Sequence, residues 1–401
     1  MHQRLLVIFL AFSLLAGSAF GTTTRKKRHR TVHSTATSKV HQVTNTTTPR
    51  ASASRLSPAL PRTSRLTPAF TKRKVASPWA TPTFADSTQG DSVDGEELMV
   101  RRAAVQALGP YNGSVVVADP NTGRILTIVN QKLALQGAYE PCSTIKIVAA
   151  LAGLSEGIIN QESSLRLTKR HSVDLTEAMA RSINIYFASI GEKLGYDRIV
   201  QYGQMFGLGE KAGLNIEGEQ PGLIAETAPS DGLGMMTSFG EGFSMTPLEL
   251  TAIVSAVANG GTLYYLQHPG SQAEIDQFAP QVKRQLNIAQ WLTDIKPGMM
   301  GAVEYGTARR IGFSATDPIF GKTGTCTDNR SPTHLGWFGS YNEIAGRKLA
   351  VVVLLTGGHS VSGPVASGVA GAVYKNLSDQ NYFAQAVPQI SPAALISTQS
   401  Y

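Results

Sequence analysis

From about residue 96 onward the apolar positions fall into runs of two different periods, and these runs place the secondary structure. Residues 114–130, SVVVADPNTGRILTIVN, hold two apolar runs around a DPNTG turn, which predicts a β-hairpin. Residues 143–154 are apolar nearly all round, the pattern of a buried helix. Helical spacing continues over 184–194, 197–206 and 246–261, the last stopped by Gly260 and Gly261. Residues 286–305 read as a helix broken at Pro297. Strand patterns return at 319–326, 334–341 and 348–356, where KLAVVVLLT has the unbroken apolar composition of a strand buried on both faces. Residues 363–377 close the pattern as a helix. Strands at both ends with helices between them predict a mixed α/β (α+β) domain. One antiparallel sheet is built from both chain ends and flanked by helices, with a helical lobe beside it.

The first 95 residues follow none of these periods. Residues 5–16 are a solid apolar run after His2 and Arg4, and small residues follow in AGSAFG. This predicts a signal peptide over 1–21, cleaved near Ala19 or Gly21, with an uncleaved N-terminal anchor as the alternative. The run is shorter than the roughly 20 residues of a bilayer span. Residues 22–95 are rich in Ser, Thr, Pro and Arg and cannot bury a core, which predicts a disordered linker. The domain is expected over 96–380, with a flexible tail over 381–401. Export places the protein in the periplasm or on the outer face of the inner membrane.

Charge refines this division. The chain carries a net charge of +8, yet residues 1–90 hold 14 Lys and Arg against one acid, Asp86. The remainder holds 22 basic against 27 acidic residues, so the folded part is mildly acidic and offers no nucleic-acid surface. The basic excess suits a tether lying against an anionic envelope polymer. No metal-ligand spacing is present, and no cofactor is expected.

Three short motifs carry the chemistry, in the order S-x-x-K, S-x-N and K-T-G: Ser143 with Lys146, Ser182 with Asn184, and Lys322-Thr323-Gly324. Lys146 stands inside an otherwise apolar helix, YEPCSTIKIV, where its desolvation is costly. Residues i and i+3 share a helix face, so its amine can reach the Ser143 hydroxyl. A neutral amine serves as base when burial and a second cation, here Lys322, lower its pKa. The bland reading is a lysine that snorkels from a core helix. Ser182 and Asn184 suit a proton relay and a substrate amide, or a plain helix N-cap. Lys322, Thr323 and Thr325 lie on a strand with Gly324, where a ligand backbone can approach closely and a terminal carboxylate finds donors.

On these motifs the chain resembles the penicillin-binding transpeptidase domain of class B type, which shares its fold with serine β-lactamases. TPLELTAIVSAVANGG, VEYGTARR and GKTGTC are similar to further family elements, so the likeness runs from about 110 to 377. It implies Ser143 as nucleophile, Lys146 as base and Ser182 as proton relay. It implies Asn184 on the substrate amide, and Lys322, Thr323 and Thr325 around the carboxylate. The backbone N–H groups of Ser143 and Thr325 would form the oxyanion hole. The implied partners are peptidoglycan stem peptides ending in D-Ala-D-Ala, β-lactams that acylate Ser143, and a glycosyltransferase of the wall machinery. Ile183 stands where class A β-lactamases carry Asp. No E-x-x-L-N segment lies between Asn184 and Lys322, so slow deacylation by water is expected.

Cys142 precedes the nucleophile and Cys326 follows the K-T-G-T stretch. If the helix start and the strand face each other, the two thiols of an exported protein form a disulfide, with two unrelated buried thiols as the alternative; their placement is similar to the bridge of class A carbapenemases. Closing a loop of that length stabilises by ~5 kcal/mol in the chain-entropy view. The pair also favours the rival reading of a carbapenem-hydrolysing β-lactamase. A D,D-carboxypeptidase and, from another class, a β-lactam sensor or inactive wall-binding module are the remaining alternatives. TGGHSVSG nearly matches the G-x-S-x-G of α/β-hydrolases. Its last Gly is Ser362, and His171, His268, His334 and His359 supply no evident triad partner, so 357–363 is read as a tight connection.

Overall fold

The computed structural model describes residues 78–384, apart from 313, 315, 329, 345 and 346. The predicted leader, most of the linker and residues 385–401 lie outside the described residues.

Five strands form the main sheet: β1 (Gly113–Ala118), β2 (Ile125–Val129), β3 (Ile319–Asp328), β4 (Thr333–Ile344) and β5 (Arg347–Gly357). Their order is β2-β1-β5-β4-β3 and every pairing is antiparallel, so strands from the two ends of the domain meet at β1–β5. There Val115 lies opposite Val353 and Val117 opposite Val351. The Val-rich strands have no polar face because both faces of the sheet are covered. On one face Val115, Val117, Val351 and Val353 pack under α1 (Leu98–Leu108) and the C-terminal helix Gly363–Asp379. On the other, Val116, Val352 and Leu354 join the core of the helical lobe.

The lobe holds α2 (Lys146–Ser155), α3 (Leu175–Arg181), α4 (Asn184–Leu194), α5 (Tyr196–Met205), α6 (Leu233–Ser238), α7 (Pro247–Asn259) and α8 (Leu292–Glu304); the Gly363–Asp379 helix is α9. Helix α7 starts where its sequence directs. Thr246 caps the Glu249 N–H, Glu249 returns a bond to the Thr246 N–H, and Pro247 occupies the first turn. Glu249 is itself buried and also accepts from the N–H groups of Gly209 and Gly222, which fastens the 209–222 loop to the helix. The 357–363 stretch is a short connection, with Ser362 at the N-cap of α9. No helix of the described residues is long and apolar enough to cross a membrane.

Three expectations are corrected. Helix α8 runs through Pro297 instead of breaking there. Gly298 sits against Met179 of α3 so closely that a Cβ would come within 2.5 Å of it, and this packing holds the helix together across one missing bond. The described fold runs past residue 380 through Tyr382–Ala384, a short 3₁₀ turn with Tyr382 and Phe383 buried. It also starts earlier than residue 96. The Asn112 N–H donates to the Thr83 carbonyl, the Gly358 N–H to Thr83 Oγ1, and the Ala80 N–H to the Pro332 carbonyl.

A charged anchor of this early segment is Arg101 of α1. It meets Asp91 at 2.7 Å and Glu96 at 3.5 Å, and donates to the Ile128 carbonyl at 2.7 Å. Both carboxylates are buried and bind the β2 backbone or the turn after it. Arg101→Met would leave two buried negative charges without their cation. A loss of about 3–5 kcal/mol is expected, read as a lower urea midpoint; a loss below 1 kcal/mol would show the ion pairs to be dispensable.

Candidate active site

Ser143 does not open an α-helix directly. It lies in a 3₁₀ turn, Cys142–Ile145, that feeds α2 at Lys146. In a 3₁₀ turn residues i and i+3 eclipse each other, and Lys146 Nζ accordingly lies 2.8 Å from Ser143 Oγ. Ser143 Oγ also donates to the Ser238 carbonyl at 3.4 Å, a long contact that leaves it free to turn toward Lys146.

Ser182 ends α3 in the left-handed conformation, φ 58°, which a non-glycine residue adopts at a cost of order 1–3 kcal/mol. The Ile183 N–H reaches back to the Ala178 carbonyl, and Asn184 begins α4. Ile183 takes the N-cap position with no side-chain cap bond, so neither Ser182 nor Asn184 is spent on capping. The tight turn instead delivers both to Lys146. Its Nζ lies 3.0 Å from Ser182 Oγ, 3.1 Å from the Ser182 carbonyl and 2.5 Å from Asn184 Oδ1.

These contacts accommodate a neutral amine, the form that burial favours. Its two N–H groups have two pure acceptors, the Ser182 carbonyl and Asn184 Oδ1. Its one lone pair can then take the Ser143 proton, while Ser182 Oγ accepts from Lys322. Both lysines are fully buried. Burial, and then the charge of Lys322, bring the Lys146 pKa down to about 6. Burial brings Lys322 down to about 7. Lys322 Nζ donates to Ser182 Oγ at 2.8 Å and to the Thr323 carbonyl at 3.0 Å, so Ser182 Oγ bridges the two amines.

Strand alternation divides the K-T-G-T residues. Lys322 and Gly324 face the nucleophile turn, and a Cβ on Gly324 would stand 3.0 Å from the Pro141 carbonyl and 3.2 Å from Cys142 Cβ. Thr323 and Thr325 point the other way. Thr323 Oγ1 lies 2.6 Å from Thr307 Oγ1, and Thr325 Oγ1 accepts from the Gly363 N–H at 2.8 Å. The structure therefore joins Ser143, Lys146, Ser182, Asn184 and Lys322 directly. The two threonine hydroxyls sit on the far side of the β3 edge, with no hydrogen bond to those five among the described residues. Cys142 and Cys326 form a disulfide with Cα atoms 5.6 Å apart.

The family model of the penicillin binding protein transpeptidase domain matches residues 113–379. The chain belongs to this family. Stage V sporulation protein D of Bacillus subtilis is 31% identical over 254 residues, covering 55% of this chain and 39% of the relative. Peptidoglycan D,D-transpeptidase PbpA of Mycolicibacterium smegmatis is 27% identical over 343 residues, covering 67% and 68%. The chain spans about two fifths of the length of the sporulation protein and of peptidoglycan D,D-transpeptidase MrdA from Acinetobacter baumannii. Among solved structures, Pseudomonas aeruginosa PBP2 in complex with WCK 5153 superposes with a TM-score of 0.59 at 24% identity, over 72% of this chain and 77% of that one.

Two residues of this penicillin-binding domain carried no role in its sequence. Thr307, in the GTA of residues 306–308, ties the site together. Its N–H donates to the Ala180 carbonyl just before the Ser182 turn, while its hydroxyl meets Thr323. Gly306 permits this, since a Cβ there would stand 2.1 Å from the Ala180 carbonyl oxygen. Glu140 precedes the nucleophile turn. Burial, then the charges of Asp328 and Glu241, push its carboxyl up to about 7.

Proposed function

We propose that the chain is a serine D,D-transpeptidase that cross-links peptidoglycan stem peptides ending in D-Ala-D-Ala, acting in the cell envelope after export. The observation that carries this is the neutral-amine environment of Lys146, 2.8 Å from Ser143 Oγ. Lys146 takes the Ser143 proton as Oγ attacks the penultimate D-Ala carbonyl. The negative charge on that oxygen develops toward the N–H groups of Ser143 and Thr325. Lys146 then passes the proton to Ser182 Oγ, 3.0 Å away, as Ser182 gives its own to the departing D-Ala nitrogen, while Lys322 donates to the same hydroxyl at 2.8 Å. Lys322 supplies positive charge for the terminal carboxylate; the Thr323 and Thr325 hydroxyls, turned to Thr307 and to the Gly363 N–H, would have to rotate or be approached from the far side of the β3 edge to reach it. An amine of a second stem peptide resolves the acyl-enzyme, with a glycosyltransferase of the wall machinery supplying the glycan strand. β-Lactams enter by the same first step and stop at the acyl stage.

One observation favours a second reading. The Cys142–Cys326 bridge is the feature on which the sequence resembles a carbapenem-hydrolysing β-lactamase. Incubating the full chain with fluorescent penicillin separates the two. The label is expected on the peptide carrying Ser143, with a lifetime of minutes or longer. Turnover within seconds would establish the β-lactamase, and absence of label would leave an inert wall-binding module. A D-Ala-D-Ala pentapeptide with a D-amino acid acceptor then distinguishes amine transfer from the carboxypeptidase reaction by its product.

A further inference from the structure

Cys142 and Cys326 flank, one residue away, the two residues whose N–H groups are proposed to receive the developing oxyanion. Cys142 is followed by Ser143, and Thr325 is followed by Cys326. The bond between them spans 184 residues of sequence and holds the 3₁₀ turn against β3, an edge strand of the sheet. Two further observations bear on what it does. Cys142 has φ 49°, in the left-handed region that favours glycine, although its side chain is fully buried. Residues 142–145 and β3 share no direct hydrogen bond among the described residues. Trp337 Nε1 holds the Glu140 carbonyl at 3.0 Å, three residues upstream of Ser143, and Gly324 touches the turn only by packing. The covalent bridge is thus the directional restraint between the two segments.

We propose that the Cys142–Cys326 disulfide is a positioning element of the acylation step, which sets the separation of the Ser143 and Thr325 N–H groups and holds the turn in its strained conformation. The inference rests on Ser143 being the nucleophile. A cross-link that served only to restrict the unfolded chain would work equally well from other parts of the fold. This one acts where a displacement of about 1 Å alters rate more than affinity. A dithiol such as dithiothreitol breaks the S–S bond, giving two protein thiols while it closes to its own disulfide, so the state is reversible.

The test is stopped-flow acylation of the full chain by fluorescent penicillin, resolved into initial affinity and acylation rate constant. It compares the oxidised chain, the dithiothreitol-reduced chain, the reoxidised chain, and the double variant Cys142→Gly with Cys326→Ser. The acylation rate constant is expected to fall about tenfold or more on reduction and in the double variant. Initial affinity is expected to change less than about threefold, and reoxidation to restore the rate. Circular dichroism at the assay temperature reports folding, and the reduced wild-type chain decides if the double variant does not fold. A lowered melting temperature with an acylation rate constant within about twofold of the oxidised chain would overturn the proposal. So would a loss confined to affinity. Absence of label on the oxidised chain would instead contradict the reading of Ser143, and the inference with it.

Discussion

Changing Lys146 to Met is expected to slow acylation of Ser143 by about 10³-fold or more, the upper range for losing a positioned general base. The side chain is fully buried, and methionine has nearly the same volume, so the pocket stays filled. What is lost is the lone pair that faces the Ser143 hydroxyl at 2.8 Å. The fold itself is expected to survive. The folded pKa of about 6 lies well below the 10.5 of a free lysine. The unfolded chain therefore binds this proton more readily between those pH values, which costs the native state stability at pH 7. Methionine removes that cost, so the variant should melt no earlier than the wild type. Stopped-flow labelling alongside thermal melting checks both halves. A variant that acylates within tenfold of wild type would remove Lys146 from the role of base.

The same burial that makes Lys146 reactive made it visible in the sequence. A lysine inside YEPCSTIKIV has few bland explanations once Ser182, Asn184 and Lys322 stand in motif order. The five strands were legible for a related reason, since covered faces leave unbroken Val and Leu runs. Other parts depend on contacts that hydropathy does not register. Helix α1 was not predicted because Arg101 occupies a buried position on it, satisfied by Asp91 and Glu96 from outside the helix. Residues 78–95 are held by backbone and hydroxyl bonds around Thr83, so their polar composition reads as linker. The Ser182 turn is left-handed at a residue that announces no such conformation, and its hydroxyl meets two amines from distant parts of the chain. Thr307 gave no signal beyond GTA, because its work is to join Ala180 to Thr323, two positions distant from each other in sequence.

Lys322 should govern the pH dependence. Productive acylation needs Lys146 neutral and Lys322 charged. The two groups interact through Ser182, and their apparent pKa values belong to the pair. The second-order acylation constant of the wild type is expected to rise through about pH 6 as Lys146 loses its proton, and to fall above about pH 7 as Lys322 loses its own. Lys322→Met removes the charge that anchors the carboxylate and should cost about 10²-fold or more near neutrality. It also removes the second of the two causes that depress Lys146. The amine then keeps its proton to higher pH, so the acid limb moves upward and the alkaline limb disappears. Glu140, which burial holds near 7, titrates in the same window, and Glu140→Gln serves as the control. If the limb follows Lys146, the control leaves it in place. An acid limb in Lys322→Met that stays at about pH 6, or moves lower, would show that Lys322 lends no electrostatic help to the base and that burial alone sets the reactivity of Lys146.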